Sequence, residues 1–234
     1  MIAGKQDACA HNNALWCDAV LKAAGAKTEF LSGFWIAREK SLPLYPNIVT
    51  YSGKPGADLN AALASLPKET AVKDSYGNLD LGPMGFKKLF SGTWLFRPPQ
   101  TSKKPPLQSD WHKAKHPEAL KKWLAGWNSN ESLHSVFSPK LLDLGAIDFA
   151  SVAKDETIRA GAVFNRGPKL DGKEVVGLSN LFCRRSWRYS AMHDLLEPFA
   201  QMPVCTYETD DELLPVYHQL GFEDCGQLAV WLKA

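Results

Sequence analysis

Three arginines crowd the sequence CRRSWRYSAM, at Arg184, Arg185 and Arg188, at the start of a predicted helix. The N-terminal end of a helix carries a positive partial charge, so cations placed there repel it unless an anion is bound. The cluster therefore predicts an anion-binding loop. The alternative is that the arginines are solvated and paired with nearby carboxylates, which are Asp194, Glu197 and Glu174.

A second candidate group is the phenol of Tyr217, in the segment LLPVYHQLGFEDCGQLAVWL. The segment predicts a short helix that Gly221 ends, because glycine accepts the left-handed backbone of a sharp turn, followed by an alternating strand. A phenol keeps its proton at neutral pH and can act as a general acid. The alternative role of Tyr217 is a half-buried aromatic that fastens the helix to the sheet.

Two further side chains could act on a substrate. Asn180 interrupts the apolar strand EVVGLSNLFC, and a buried amide needs hydrogen-bond partners. It could hold a substrate or an ordered water, or it could satisfy the backbone at a strand bulge. Glu208, which follows the predicted strand PVCTYE, is the best carboxylate candidate for a general base.

Metal sites and common nucleotide or hydrolase motifs are not indicated. His112 and His116 are four residues apart, but Pro117 marks a helix start and places them in a loop. Cys9 and Cys17 lie eight apart on a predicted helix, too far for a compact site. The sequence has no GxGxxG, Walker or GxSxG signature. We therefore expect no metal.

The composition narrows the class of protein. The chain has 234 residues, 45% of them hydrophobic, and a formal charge of +2, which favours a globular protein over a dedicated nucleic-acid binder. It contains no apolar run long enough to span a membrane. Its first residues, MIAGKQDACAHNN, lack the apolar stretch that is typical of a signal peptide. Five scattered cysteines without a CxxC pair are typical of buried thiols in a reducing compartment. We expect a cytoplasmic protein that contacts neither membrane nor nucleic acid.

The N-terminal part mixes one long helix with short elements. The pattern predicts a helix over residues 7–24, strands over 30–38 and 48–52, a helix over 58–65 with Asp58 as a cap, and a strand in ETAVKDSYGNLDL. The turn SLPLYPN could line a pocket, although a structural turn is the alternative. The strand TWLFRPP then meets a proline-rich tract, residues 98–110, which we interpret as an exposed loop.

The C-terminal part has a clearer order. Two helices, HPEALKKWLAGW and SPKLLDLG, the second with Ser138 as its N-cap, precede three strands: IDFASVAKD, TIRAGAVFNR and EVVGLSNLFC. An Asp-Gly pair predicts a hairpin between the last two strands. A helix over residues 187–201, the strand PVCTYE, the helix DDELLPVYHQL and the strand CGQLAVWL complete the chain. The sequence contains no convincing tandem repeat.

This order, together with its motifs, resembles the GNAT superfamily of acyl-CoA-dependent N-acyltransferases. The segment YHQLGF matches the Y-x-x-x-G-F pattern that closes the family's fourth helix and opens its sixth strand, and GQLAVWL resembles its final strand. GAVFNR followed by VVGLSNLF resembles the central meander. The resemblance runs from about Trp94 to Leu232.

The resemblance implies an α/β (α+β) fold with a mixed, largely antiparallel sheet flanked by helices. We predict a GNAT-like domain over residues 91–234, preceded by a smaller α/β region over residues 1–90. That region is either a truncated GNAT-like half or a lid that shapes an acceptor pocket. GNAT-like sheets often pair through their edges, so a homodimer is allowed.

The resemblance also implies site residues. In the family, a loop of pattern Q/R-x-x-G-x-G/A holds the CoA pyrophosphate through backbone N–H groups. The matching segment has Arg185 first, Arg188 in place of the central glycine and Ser190 last. The implied cofactor-binding residues are Leu181, Arg184, Arg185, Ser186, Trp187, Arg188 and Ser190. Tyr217 takes the position of the acid that protonates the departing thiolate, with Glu208 as base and Asn180 at the substrate.

Two functions are consistent with these residues. One is an acyl-CoA-dependent N-acyltransferase, with acetyl-CoA as donor and an unidentified small-molecule or peptide amine as acceptor. The other is a GNAT-derived binding or regulatory module that has lost efficient use of CoA, which the missing loop glycine favours.

Overall fold

The computed structural model describes residues 4–39, 41–100, 110–154 and 157–234. The α-helices of these ranges are α1 (Lys5–Ala23), α2 (Asp58–Ser65), α3 (Pro117–Trp127), α4 (Arg188–Leu196) and α5 (Leu214–Gln219). Short 3-10 helices occupy Gly82–Met84, Glu131–Val136, Pro139–Asp143, Arg185–Trp187, Glu197–Phe199 and Asp211–Leu213.

The strands of the described residues all belong to one sheet. They are β1 (Thr28–Leu31), β2 (Phe34–Ala37), β3 (Ile48–Thr50), β4 (Ala71–Asp74), β5 (Phe86–Arg97), β6 (Asp110–Lys113), β7 (Ile147–Lys154), β8 (Thr157–Leu170), β9 (Lys173–Cys183), β10 (Val204–Glu208) and β11 (Glu223–Lys233). Their order across the sheet is β1-β2-β3-β4-β11-β5-β10-β9-β8-β7-β6. Neighbours are antiparallel except in two pairs, β3 with β4 and β9 with β10. The predicted mixed, largely antiparallel sheet flanked by helices is therefore confirmed.

The strand order repeats itself about the centre of the sheet. In the first half β1, β2 and β3 form a meander, and α2 connects β3 to the parallel strand β4. In the second half β7, β8 and β9 form a meander, and α4 connects β9 to the parallel strand β10. The last strand of each half then crosses over: β5 pairs with β10, and β11 pairs with β4. The two halves thus exchange their final strands, a repeat that the amino-acid sequence does not reveal.

The predicted last strand, CGQLAVWL, lies within β11, which begins slightly earlier, at Glu223. The strand beside β10 is β5, from the N-terminal part. The predicted boundary between residues 90 and 91 falls inside β5, and the division into two domains stays a prediction.

Two apolar layers cover the sheet, one on each face. Because successive strand residues point to opposite faces, Phe149 packs under α1 and α3 whereas Ala150 packs under α4 and α5. The first layer includes Trp16 of α1 and Trp123 of α3, both almost fully buried. Burying each aromatic ring contributes about 2–3 kcal/mol, so these layers fix the helices over the sheet.

Several predicted elements have different details in the structure. Helix α2 has the predicted bounds, but Ala57 rather than Asp58 is its cap residue. The predicted helix SPKLLDLG is a 3-10 helix, in which Ser138 accepts a hydrogen bond from the Lys140 N–H, at 3.3 Å, as expected of a cap. Pro117 begins α3 as predicted, and the ring of His116, in the loop before it, accepts from the Ala119 N–H. His112 lies in β6 and not in that loop.

The cysteines and the proline-rich tract complete the comparison. No cysteine of the described chain forms a disulfide, but Cys183 and Cys225 are only half-buried, unlike the expected buried thiols. Residues 101–109 of the predicted loop lie outside the described residues, and Asp110 already belongs to β6. None of the helices described above combines the length and the apolar character that a membrane crossing requires.

Candidate functional site

The parallel strands β9 and β10 separate from each other in the middle of the sheet. They pair only at Val176 with Val204 and at Gly177 with Cys205. Beyond these residues a cavity of about 310 Å³ opens through the sheet. Its lining comes from both halves of the chain: Asn13, Trp16, Cys17, Leu44, Tyr45, Pro46, Lys73, Leu178, Ser179, Asn180, Leu181, Arg188, Thr206, Tyr207, Glu208 and Tyr217.

A bulge in β9 shapes one wall of this cavity. The register with β8 shifts so that Asn180 and Leu181 together lie opposite Ala162. Asn180 has φ +52°, in the left-handed region, which asparagine tolerates better than most other non-glycine residues. The bulge ends regular pairing where β10 diverges, and it leaves Asn180 and Leu181 at the cavity wall. The strand bulge expected at Asn180 is confirmed, and the role of its side-chain amide stays a prediction.

Tyr217 and Glu208 meet at the cavity. The Tyr217 hydroxyl donates to Oε2 of Glu208 over 3.0 Å. Oε1 of Glu208 accepts two backbone N–H groups, from Thr209 at 2.8 Å and from Asp210 at 3.1 Å. Three donors therefore hold the carboxylate in one orientation, at the end of the strand that separates from β9.

Burial keeps the Tyr217 phenol protonated. Only 2% of its surface is exposed, and burial raises the pKa of Tyr217 well above its usual value, with the Glu208 carboxylate adding to the rise. The Arg188 guanidinium opposes part of this shift in pKa. Gly221, in the left-handed region at φ +86°, ends the helix as predicted and turns the chain so that the Phe222 ring packs on Tyr217.

Helix α1 supplies the opposite wall because an amide pair anchors it to the sheet. Asn12 donates to the backbone oxygens of Asn165 and Val175, and the Asn165 amide donates to Asn12 Oδ1 at 3.0 Å. A β-carbon on Gly177 would lie 1.9 Å from Asn12 Oδ1, so only glycine permits this approach. The anchor places the next residue, Asn13, in the cavity wall.

Two polar groups of this wall have no hydrogen-bond partner in the part of the chain that the structure describes. The Tyr45 hydroxyl and the Asn13 carboxamide oxygen make no hydrogen bond among the described residues, and only 8% of the surface of each residue is exposed to solvent. Burial raises the pKa of Tyr45, and the nearby Trp16 and Asn180 side chains oppose that rise. Buried polar atoms without partners are uncommon in folded proteins, so these two indicate a place where a ligand or water binds.

Lys73 is the buried cation of the same wall. It lies on β4, is 6% exposed, and its ammonium lies 4.3 Å from the centre of the Tyr207 ring. No carboxylate of the described chain lies within ion-pair distance of it. The neighbouring carboxylate, Asp74, instead accepts the backbone N–H groups of a turn, from Tyr76 and Leu79. Burial of an unpaired ammonium is unfavourable unless an anion accompanies it.

The three arginines of the predicted loop divide into different environments. Arg185 pairs with Asp210 at 2.9 Å and with Glu212 at 2.7 Å. Arg184 stacks 4.8 Å from the centre of the Trp187 ring. Arg188 lines the cavity, and its Nε has no partner within the described residues. The expected pairing with carboxylates is thus correct for Arg185, but with partners other than the three predicted.

The cavity unites some predicted residues and leaves others outside. Asn180, Leu181, Arg188, Glu208 and Tyr217 line it together. Ser186 and Ser190 are exposed, and Trp187 borders a separate cavity of about 620 Å³ that also touches Cys183 and Arg184. The Ser190 hydroxyl donates to the Trp187 carbonyl at 3.1 Å, which stabilises the turn into α4.

Sequence reasoning missed Asn13 and Lys73. The sequence offers SLPLYPN as a possible pocket wall, and Leu44, Tyr45 and Pro46 do line the cavity. A signal for Lys73 is present in the sequence, because it is the one lysine of the short predicted strand AVKD. A lysine inside such a strand is a candidate for a buried charge. Nothing in the sequence distinguished Asn13 from Asn12.

Comparison with solved structures identifies the fold that these features define. A GCN5-related N-acetyltransferase from Kribbella flavida superposes with a TM-score of 0.62 at 15% identity, covering 94% of this chain and 95% of its own. A candidate acetyltransferase of the GNAT family from Novosphingobium aromaticivorans superposes with a TM-score of 0.58 at 11% identity, covering 96% and 99%. No family model and no curated protein sequence matches the chain.

The chain therefore has the GNAT fold, and the resemblance drawn from YHQLGF and the strand order is confirmed at that level. Both similar structures span almost the whole chain, including its N-terminal part. The similarity consequently extends beyond the segment from Trp94 to Leu232 on which the sequence resemblance rested.

Proposed function

We propose that the protein is an acyl-CoA-dependent N-acyltransferase that transfers an acyl group, acetyl in the simplest case, to a small amine. The observation that carries the proposal is the hydrogen bond between Tyr217 and Glu208 at the point where β9 and β10 separate. It supplies a proton donor and a proton acceptor in one cavity, beside a strand bulge.

Tyr217 and Glu208 form a proton relay in this proposal. The amine nitrogen forms a bond to the thioester carbonyl carbon, and the carbon–sulfur bond breaks. Glu208 accepts the proton that the amine loses, and Tyr217 gives its own proton to the departing thiolate. The 3.0 Å hydrogen bond returns a proton from Glu208 to Tyr217, so the enzyme ends as it began. The raised pKa of Tyr217 favours a concerted transfer over a free phenolate.

The donor substrate would enter from the face that α4 and α5 cover. The gap between β9 and β10 admits a thioester, and the bulge at Asn180 frees backbone groups that could face its carbonyl. Arg188, whose Nε has no hydrogen-bond partner among the described residues, is the arginine of the loop best placed to meet a phosphate. Arg185 is already held by Asp210 and Glu212, so it contributes less.

A binding or regulatory module without turnover is the second candidate. The observation that favours it is the absence of a glycine at position 188, combined with the engagement of Arg185 by two carboxylates. Both features reduce the number of groups left for a pyrophosphate. Such a module would keep the cavity without using the relay.

The first experiment is thermal unfolding of the purified chain with acetyl-CoA, CoA or tripolyphosphate, followed by measurement of thiol release with a panel of amines. A ligand that binds only the folded state raises the midpoint. We expect a higher midpoint with both CoA species and thiol release that depends on the amine. A midpoint that millimolar acetyl-CoA leaves unchanged would contradict the proposal, and binding without release would favour the module.

A further inference from the structure

We propose that the acceptor is a small amine that carries a carboxylate, of the amino-acid type, and that Lys73 binds that carboxylate. The inference rests on the proposed function for the amine but draws on a different part of the cavity. Lys73, Tyr45 and Asn13 come from the N-terminal half and lie on the α1 face of the sheet, whereas Tyr217 and Arg188 come from α5 and α4 on the other face.

The positive charge of Lys73, on the α1 face of the sheet, indicates the chemical class of the acceptor. Lys73, a residue only 6% exposed, presents to the cavity an ammonium that no carboxylate of the described residues neutralises, and its contact with the Tyr207 ring supplies only a weak interaction. The adjacent thiol of Cys17 does not serve as the missing anion, because burial raises its pKa to about 11. A carboxylate is the anion that fits beside an amine substrate, since it forms a charge-assisted hydrogen bond with an ammonium group.

Two polar atoms that have no partner among the described residues, the Tyr45 hydroxyl and Asn13 Oδ1, offer further hydrogen bonds to an amino acid. The Tyr45 hydroxyl can donate to the second carboxylate oxygen, and Oδ1 of Asn13 can accept an N–H group. With Lys73 these groups offer two donors and one acceptor on one wall, and Glu208 provides a second acceptor farther along the cavity. An unprotonated amino group between them would have one N–H directed at a base.

The size of the cavity favours a small acceptor. About 310 Å³ must accommodate both the acyl end of the donor and the acceptor. Ligand pockets for drug-sized molecules run from about 300 to 1,000 Å³, so this one is at the small end. A single amino acid is therefore a better fit than a peptide or an aminoglycoside.

The test compares matched acceptors on the chain of residues 1–234. Each of the common amino acids is assayed with acetyl-CoA beside its carboxamide and its decarboxylated amine, and the products are identified by mass spectrometry. We expect an amino acid to exceed both carboxylate-free counterparts by about tenfold or more in kcat/KM, because they lack the negative charge that Lys73 binds. Equal use of an amino acid and its decarboxylated amine would overturn the inference.

Lys73→Met tests the residue itself, with Lys88→Met as the matched control. Lys88 also lies over an aromatic ring, 5.0 Å from the centre of Trp231, but it is exposed and outside the cavity. Lys73→Met should raise KM for the amino acid about tenfold or more and remove the preference over the carboxamide, while leaving acetyl-CoA affinity unchanged. Lys88→Met should change neither quantity. If Lys73→Met does not fold by circular dichroism, Tyr45→Phe replaces it, with a smaller increase in KM expected.

A binding measurement separates failure of this inference from failure of the proposed function. Thermal unfolding with the amino acid alone should raise the midpoint for the wild-type chain but not for Lys73→Met. Lys73-dependent binding without any acyl transfer would support the carboxylate site and reject the acyltransferase. Acyl transfer that neither the carboxylate nor Lys73 affects would support the acyltransferase and reject the site.

Discussion

Tyr217 and Glu208 are joined by a 3.0 Å hydrogen bond although one lies on α5 and the other at the end of β10. The pair exists because Gly221 turns the chain sharply after α5, which holds that helix against the strands, and because two backbone N–H groups fix the carboxylate. Neither residue alone would be an efficient relay.

Replacing either member of the pair should reduce turnover. We expect Tyr217→Phe and Glu208→Gln each to lower kcat by about 10² to 10³, because each removes one step of the proton transfer. The double variant should be little worse than either single one, since the two groups act as a unit. Steady-state thiol release provides the measurement, and Tyr189→Phe, at an exposed tyrosine, is the control. Full activity in Tyr217→Phe would leave that ring a packing residue.

The raised pKa of Tyr217 predicts a pH dependence of stability. A free tyrosine loses its proton near pH 10, whereas the folded chain keeps it to higher pH. Above about pH 10 the unfolded state therefore binds one proton fewer, and the free energy of unfolding falls by about 1.4 kcal/mol per pH unit from this group. Below that pH the contribution is fully present.

Tyr217→Phe should remove this part of the slope. Urea unfolding of the wild-type chain and of the variant at pH 9, 10 and 11 gives the difference, in which the contributions of the other tyrosines and the cysteines cancel. Parallel dependences across that range would mean that the pKa of Tyr217 is not raised.

Arg188 and Arg185 should differ in their effect on CoA binding. Arg188→Ala should weaken the affinity for CoA by about tenfold, because the guanidinium lines the cavity and its Nε has no partner within the residues that the structure describes. Arg185→Ala should change it by about twofold or less, because the guanidinium is already bound to Asp210 and Glu212 at the surface. Calorimetric titration at two salt concentrations tests this order, and a larger loss in Arg185→Ala would reverse our assignment.

Replacing Asn180, the residue with positive φ in the bulge, by glycine should destabilise the protein less than replacing it by alanine. At φ +52° glycine carries no steric penalty, whereas alanine costs about 1–2 kcal/mol. Asn180→Gly should therefore keep the urea midpoint near that of the wild type, Asn180→Ala should lower it, and Asn180→Val should lower it further. The series is measured by equilibrium unfolding. An Asn180→Ala protein as stable as Asn180→Gly would show that the left-handed conformation is not retained.

Local structure followed from the sequence where neighbouring residues decide it. The bounds of α2, the cap at Ser138 and the Asp-Gly turn, in which Asp171 and Gly172 both have positive φ, were predicted correctly. Each depends on backbone preferences within a few residues. The strands of the second half were recognised for the same reason, because their alternation is a local pattern.

The strand exchange and half of the cavity were not predictable in this way. Lys73 pairs with Val49 and Val230, and its ammonium reaches Tyr207, so its environment depends on residues far away in the chain. The positions of β5 and β11 in the sheet also depend on strands that are distant in the sequence. The local residue pattern of a strand does not specify which strand it will pair with. Tyr217 and Glu208 were found because a family motif named one and an acidic residue after a strand suggested the other.

Because β5 and β11 are exchanged, the two halves of the chain resemble the two subunits of a strand-swapped dimer. A fragment comprising residues 101–234 would leave β10 and β11 without the strand that lies between them, and a fragment comprising residues 1–100 would lose the partner between β4 and β5. Each piece alone would expose open sheet edges, which favour aggregation. The two produced together as separate chains should associate and restore the cavity. Neither half can therefore be lost or replaced independently, and the site belongs to both.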